Sequence, residues 1–336
     1  MHSINIAVVG ATGVVGTAML TCLEEAKFPV KQLFPLASER SAGETITFNG
    51  KPLVVEELGS FDFSKVQIAL FSIGADIALK YAPIAAAAGC VVIDNSSAFR
   101  RDANIPLIVP EVNAAALENY RNCNIIANPN CSTIQMVVAL KPIYDAVGIE
   151  RINVATYQSV SGTGKAAIAE LTEQALAWTQ HLRLKNSIYP VPIAFNLIPH
   201  IDDFESNGYT KEEMKMINET RKIFEDNSIQ INPTTVRVPV VYGHSEAINI
   251  ETKEKISADQ VRELLKNAPG VQVMDGQAAG QYPTPALQGT GTNSVYVGRI
   301  REDLSHPRGI NLWVVADNIR KGAALNAVQI AQLLIK

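Results

Sequence analysis

The chain has 336 residues, 47% of them hydrophobic, and a formal net charge of −4. That length makes two domains the default, and the weakly acidic balance excludes a basic footprint for nucleic acid or an anionic membrane surface. The first residues lack the basic start of a signal peptide, no run approaches the roughly 18 apolar residues of a membrane span, and four scattered cysteines fit neither a disulfide framework nor a zinc site. These features lead to the expectation of a cytoplasmic, metal-free protein with small-molecule partners.

Ile4 to Val9 reads as a strand, and Val14, Val15, Ala18, Met19 and Leu23 follow at helical spacing. Strand and helix meet across Gly10-Ala11-Thr12-Gly13-Val14-Val15-Gly16. Glycines at such a junction let backbone N–H groups approach a pyrophosphate, which the helix N-terminus then attracts. The spacing is G-x-x-G-x-x-G, a variant of the commoner dinucleotide fingerprint. Gly10, Thr12, Gly13, Val14 and Val15 are therefore candidate cofactor contacts.

A second strand, Lys31 to Ala37, ends at Ser38-Glu39-Arg40-Ser41. Arg40 and Ser41 suit a ribose 2′-phosphate, so NADP is expected over NAD, although Glu39 is also present. Val66 to Phe71 and Val91 to Ile93 are apolar runs, as for strands covered on both faces, with a helix from Ala75 to Ala88 between them. Ser72, at a strand end, is a further cofactor candidate. Arg100 and Arg101 follow in a polar loop, and Asn124 to Ala127 forms a last short strand.

Asn128-Pro129-Asn130-Cys131-Ser132-Thr133 comes next, a turn running into a helix from Cys131 to about Tyr144. A thiol at a helix start meets unpaired N–H groups and the positive end of the dipole, so it ionises more readily than a free cysteine. Beyond it, Arg151 to Val160 alternates apolar and polar residues, which predicts a sheet with one covered face and a second domain. A helix over Lys211 to Phe224, strands at Val236 to Val241 and Glu246 to Glu251, a helix at Ala258 to Lys266, strands at Val295 to Arg301 and Ile310 to Ala316, and a closing helix from Asn318 to Leu334 complete the reading.

The glycine turn, the Asn-Pro-Asn-Cys-Ser-Thr stretch, Gln158 before Ser161-Gly162, Arg237-Val-Pro-Val with Gly243-His244, and the tail Asp317-Asn318-Ile319-Arg320-Lys321-Gly322-Ala323-Ala324 together resemble the aspartate-β-semialdehyde dehydrogenase family over essentially the whole chain. The resemblance implies an α/β fold. A Rossmann-type doubly wound N-terminal domain (1–127, with the closing helix of 318–336) would bind NADP, and an α+β catalytic and dimerisation domain (128–317) would form a homodimer. It implies NADP-dependent, reversible reductive dephosphorylation of β-aspartyl phosphate to aspartate-β-semialdehyde, feeding lysine (through diaminopimelate), threonine and methionine.

By that resemblance Cys131 is the nucleophile and carries the acyl group as a thioester. His244 is the general acid/base, because imidazole titrates near neutral pH. Gln158 orients the substrate. Arg237 takes its carboxylate through a guanidinium fork, and Glu212, rather than Glu213, takes its amino group. Arg100, Asn130 and Lys215 hold phosphate, while Ser161, Gly162 and Asn318 lie at the nicotinamide end of the cofactor. An ideal strand would put residues 237 and 244 on opposite faces, so Gly243 is expected to break it. The related N-acetyl-γ-glutamyl-phosphate reductases would carry a Pro-Gly-Cys-Tyr type motif, and glyceraldehyde-phosphate dehydrogenases Ser-Cys-Thr-Thr-Asn. A non-catalytic nucleotide-binding protein would have little reason to keep Cys131, Gln158, Arg237 and His244 together.

Overall fold

A computed structural model describes residues 3–335. The chain folds as two compact units. One runs to Asn130 and resumes at Ala323, and the other is Cys131–Gly322.

In the first unit β1 (Ile4–Val9) leads into α1 (Val14–Glu25) and β2 (Val30–Ala37). A small antiparallel hairpin, β3 (Thr45–Phe48) and β4 (Lys51–Val54), precedes β5 (Glu56–Glu57), β6 (Ile68–Phe71), α2 (Ala75–Ala87), β7 (Val91–Asp94), α3 (Pro110–Asn113) and β8 (Ile125–Ala127). The main sheet has the order β5-β2-β1-β6-β7-β8, with every pair parallel. Parallel strands covered on both faces read as continuous apolar runs, and β6 is buried along its whole length.

Gly10 ends β1 in the left-handed region, φ +83°, and a Cβ there would lie 2.2 Å from the Ser72 carbonyl oxygen. A Cβ at Gly16 would lie 2.0 Å from the Gly10 carbonyl oxygen. Glycine at both positions thus lets the turn form and lets α1 settle on the strand end.

The second unit opens with α4 (Cys131–Val147) and β9 (Ile149–Gln158), followed by α5 (Lys165–Thr179), α6 (Lys211–Phe224), β10 (Gln230–Arg237), β11 (His244–Thr252), α7 (Ala258–Lys266), β12 (Val271–Val273), β13 (Val295–Glu302) and β14 (Gly309–Ala316). Its mixed sheet runs β10-β9-β11-β14-β13-β12. The alternation in β9 and β11 gives one face buried under helices α4, α6 and α7 and one half-exposed face. On the half-exposed face, Asn232, Asn153, Asn249 and Asn311 stand in register across four adjacent strands.

The last helix, α8 (Leu325–Leu334), belongs to the first unit, where Ala327, Val328, Ile330 and Ala331 join Met19, Leu23, Ile93 and Ile126 in one core. Asn326 donates to the Ile108 carbonyl at 3.0 Å and to Asn128 Oδ1 at 2.7 Å. Among the described residues no helix is long and apolar enough to cross a membrane.

Three expectations are corrected. The strand expected at Val236 to Val241 lies earlier, at Gln230–Arg237, because Pro239 cannot donate to a ladder and the real strand is disguised by Pro233 at the sheet edge. The closing helix begins at Leu325, after a π turn over Arg320–Ala324. Helix α5 was not expected, although its buried Ala167, Leu171 and Gln174 have helical spacing.

Candidate functional site

In the first unit a cavity of about 610 Å³ opens at the carboxyl ends of the parallel strands, where open α/β sheets bind ligands. Gly10, Thr12, Gly13, Ser72 and the Ser38–Ser41 turn line it, so Arg40 and Ser41 share one cavity with the glycine turn. Val14 and Val15 begin α1 and do not line the cavity. The lining fits a dinucleotide: α1 starts in the glycine turn without a side-chain cap, which favours an anion there.

Also in this unit, Arg100 is buried, with Nε donating to the Asn128 carbonyl at 2.9 Å and a terminal nitrogen donating to the Asn95 carbonyl at 2.7 Å. Arg101 is exposed. Asn130 is buried and is the last residue before the second unit begins.

In the second unit, polar side chains converge at the carboxyl end of β9. Strands β10 and β11 flank β9 on opposite sides, β10 parallel and β11 antiparallel, so the end of β10 and the start of β11 arrive at the same edge. Arg237 pairs in register with Gln158, and His244 opens β11 after Gly243, whose φ of +85° redirects the chain. The residue between them is Ser159. Its carbonyl accepts from Arg237 Nη1 at 2.6 Å, and its N–H donates to His244 Nδ1 at 3.1 Å.

A Cβ placed on Gly162 would lie 3.3 Å from Arg237 Nη1 and 3.5 Å from His244 Nε2. The two side chains therefore border one point. Arg237 Nε and His244 Nε2 are buried without a hydrogen-bond partner among the described residues. Asn318 Oδ1 accepts from the Gly243 N–H at 2.9 Å and from the Ser159 and Ser161 hydroxyls at 3.1 and 3.2 Å, and so ties this loop to the tail.

His244 does not titrate near neutrality, contrary to expectation. Burial first, and the Arg237 cation second, lower it from 6.5 to about 3, against the opposing Glu212 carboxylate. The ring is neutral. Because a backbone N–H can only donate, Nδ1 is the acceptor and the ring proton sits on Nε2.

Helix α6 separates the two glutamates. Thr210 and Glu213 form a capping box, with Glu213 Oε2 accepting the Thr210 N–H at 2.8 Å and Oε1 accepting the Thr235 N–H at 3.0 Å. Glu213 is thus committed to structure. Glu212 instead accepts from Gln158 Nε2 at 3.2 Å and from Lys215 Nζ at 3.2 Å. Lys215 also pairs with Asp202 at 2.7 Å.

Cys131 is the first residue of α4 and only partly buried. A Cβ on Gly322 would lie 2.8 Å from Cys131 Cβ. The tail from Asp317 to Gly322 therefore touches both ends of the cluster, with Asn318 at Gly243 and Gly322 at the thiol residue. Asp317 shapes this turn, its Oδ1 accepting the Ile319 and Arg320 N–H groups at 2.8 and 2.9 Å.

Ser159, Asp317 and Gly322 were not singled out from sequence. Ser159 acts through its backbone, which leaves no composition signal. Asp317 and Gly322 stood inside the quoted tail motif without a role of their own.

Two family models match this chain: the semialdehyde dehydrogenase NAD binding domain over residues 5–120 and the semialdehyde dehydrogenase dimerisation domain over residues 140–321. An aspartate-semialdehyde dehydrogenase of Legionella pneumophila is 60% identical over 331 residues, 98% of this chain and 95% of that protein. The crystal structure of aspartate semialdehyde dehydrogenase II from Vibrio cholerae, complexed with ASA, superposes with a TM-score of 0.98 at 58% identity, covering 100% of this chain and 99% of that one. A Candida albicans aspartate semialdehyde dehydrogenase structure with NADP has a TM-score of 0.79 at 25% identity, covering 99% of each chain.

Proposed function

As the chain belongs to the aspartate-semialdehyde dehydrogenase family, we propose that it interconverts β-aspartyl phosphate and aspartate-β-semialdehyde for lysine, threonine and methionine synthesis, with NADP as cofactor and Cys131 as the acyl carrier. The observation that carries the site reading is the meeting of Arg237 and His244 around Ser159 and Gly162, beside the Gln158–Glu212 pair.

NADP, when bound, exchanges a hydride with the substrate carbon. Gly10, Thr12, Gly13 and Ser72 would hold it, and Arg40 and Ser41 in the same cavity would suit a 2′-phosphate. The Cys131 thiolate adds to the aldehyde carbon to give a hemithioacetal. Loss of hydride leaves a thioester, and phosphate displaces the sulfur to form the acyl phosphate. Arg100 is assigned to phosphate.

Arg237 binds the substrate carboxylate through the guanidinium face not used by Ser159, and Glu212 faces its amino group. The neutral His244, with its proton on Nε2, donates to the carbonyl oxygen under attack. A bound carboxylate neutralises Arg237, removes one cause of the low His244 pKa, and moves the imidazole toward proton exchange in the complex.

A second copy of the chain is proposed to cover the half-exposed sheet face that carries Asn153, Asn249 and Asn311, within the matched dimerisation domain. The cytoplasm, where a catalytic thiol stays reduced, is the proposed compartment.

Steady-state kinetics with aspartate semialdehyde, phosphate and NADP tests the reading. NADP reduction should require phosphate and disappear on stoichiometric alkylation of Cys131. Phosphate-independent turnover would refute it.

A further inference from the structure

Between Thr179 and Lys211 the chain forms no helix or strand, yet part of this stretch is built onto the site. Glu170 and Gln174 lie one turn apart on α5, and both are buried. The Glu170 carboxylate accepts the N–H groups of Ser187, Ile188 and Tyr189 at 2.6, 2.7 and 3.4 Å, and the Ser187 hydroxyl at 3.0 Å. Gln174 Oε1 accepts the Ile193 and Ala194 N–H groups at 2.9 and 3.0 Å, and its amide donates to the Lys185 carbonyl at 2.7 Å. These two side chains supply hydrogen bonds that a helix or sheet would otherwise give the backbone.

The loop so held carries Tyr189 against Arg237. The tyrosine is buried in a small apolar cluster with Val160, Ala167, Leu171 and Ile193. The Arg237 guanidinium carbon lies 5.9 Å from the centre of the Tyr189 ring, within the range in which an aromatic face attracts a cation. The Tyr189 hydroxyl donates to Thr163 Oγ1 at 3.1 Å, next to the Gly162 that borders Arg237. The main chain of Arg237 is held from the same stretch, because its N–H and carbonyl pair with those of Ile198 at 2.8 and 3.0 Å. Nη1 is taken by the Ser159 carbonyl, and Nε is left without a hydrogen-bond partner among the described residues.

We propose that Tyr189 is a positioning residue whose ring fixes the Arg237 guanidinium for a two-point grip on the substrate carboxylate, with Glu170 and Gln174 acting through it by holding its loop. The proposal rests on the assignment of that carboxylate to Arg237 made above. An arginine side chain has several rotatable bonds, and a bidentate contact needs them fixed together. A ring on one side and a carbonyl at one nitrogen fix the fork before substrate arrives, so less freedom is lost on binding.

Tyr189→Leu keeps the apolar cluster filled and removes the ring. It should raise KM for aspartate semialdehyde about tenfold, with KM for phosphate and for NADP within about twofold. Tyr189→Phe keeps the ring and should stay within about threefold of the wild type in kcat/KM. In an Arg237→Met background, Tyr189→Leu should add little further loss, because both changes remove one interaction. Glu170→Ala frees the loop without altering the ring and should raise the same KM, which serves also where Y189L does not fold. Nitrogen relaxation of the Arg237 Nε–H group in the substrate-free enzyme should find it rigid in the wild type and Y189F and mobile in Y189L.

A Y189F enzyme as impaired as Y189L would overturn the proposal, because the hydroxyl and not the ring would then be the acting group. An undiminished loss in the Arg237→Met background, or an equally rigid Nε–H in Y189L, would overturn it too, as would an unchanged KM in both Y189L and E170A. Arg237→Met alone separates the two levels. An unchanged KM for aspartate semialdehyde in that variant removes the carboxylate assignment, while the relaxation measurement still decides whether Tyr189 holds the guanidinium.

Discussion

The backbone N–H of Ser159 donates to Nδ1 of His244 at 3.1 Å, and this contact determines which ring nitrogen carries the proton. With Nδ1 accepting, Nε2 is the donor, and the ring is held neutral by burial and by the Arg237 cation. Nitrogen NMR should therefore find His244 neutral, protonated on Nε2, through the whole range from pH 8 to below pH 5. Arg237→Met removes the second cause of the depression, so the His244 titration should move up from about 3 toward 6.5. A downward or absent shift in that variant would show that burial alone sets the value.

The same residue makes stability depend on pH. In the unfolded chain His244 binds a proton near 6.5, but in the folded chain only near 3. Between these values the unfolded state holds more protons, so the contribution of His244 is fully present above pH 6.5 and is lost as pH falls toward 3. The slope is at most about 1.4 kcal/mol per pH unit. His244→Asn should flatten the acid side of the stability curve, as measured by urea unfolding at a series of pH values.

Gly162 tests the geometry of the Arg237–His244 pair directly. An added methyl would sit 3.3 Å from the guanidinium and 3.5 Å from the imidazole, which crowds both without reaching the core. Gly162→Ala should reduce kcat/KM for aspartate semialdehyde about tenfold with little change in melting temperature. Gly162→Val should abolish turnover. An unaltered kcat/KM in the alanine variant would place the reacting atoms elsewhere.

Adjacent glutamates on α6 should respond in opposite ways. Glu213 closes a capping box and accepts from Thr235, so Glu213→Ala should cost about 1–3 kcal/mol of stability, visible in chemical denaturation. Glu212 faces Gln158 and Lys215, and Glu212→Ala should raise KM for aspartate semialdehyde while leaving the denaturation midpoint nearly unchanged.

Cofactor choice should depend on the turn after β2. Arg40 lines the dinucleotide cavity and is exposed, with no structural contact that its loss would break among those described. Arg40→Ala should lower kcat/KM for NADP by about tenfold or more and leave that for NAD within about twofold. Equal losses with the two cofactors would assign Arg40 to the shared part of the molecule.

Local sequence determined much of this protein. The glycine turn between β1 and α1, the apolar runs of β6 and β7, the alternation of β9 and the Asn-Pro-Asn-Cys helix start are all written within stretches of a few residues, where φ restriction, side-chain periodicity and dipole act directly. The Thr210–Glu213 capping box is local too.

Tertiary structure decided the rest. Arg237 and His244 meet because β10 and β11 pair with opposite sides of β9, and strand pairing depends on partners distant in sequence. The state of the His244 proton follows from burial and from the Ser159 N–H, neither of which leaves a mark on composition. Gly322 reaches Cys131 only after the second unit has closed on itself. Desolvation and close approach are properties of the packed chain, and they turn residues that could do chemistry into a site.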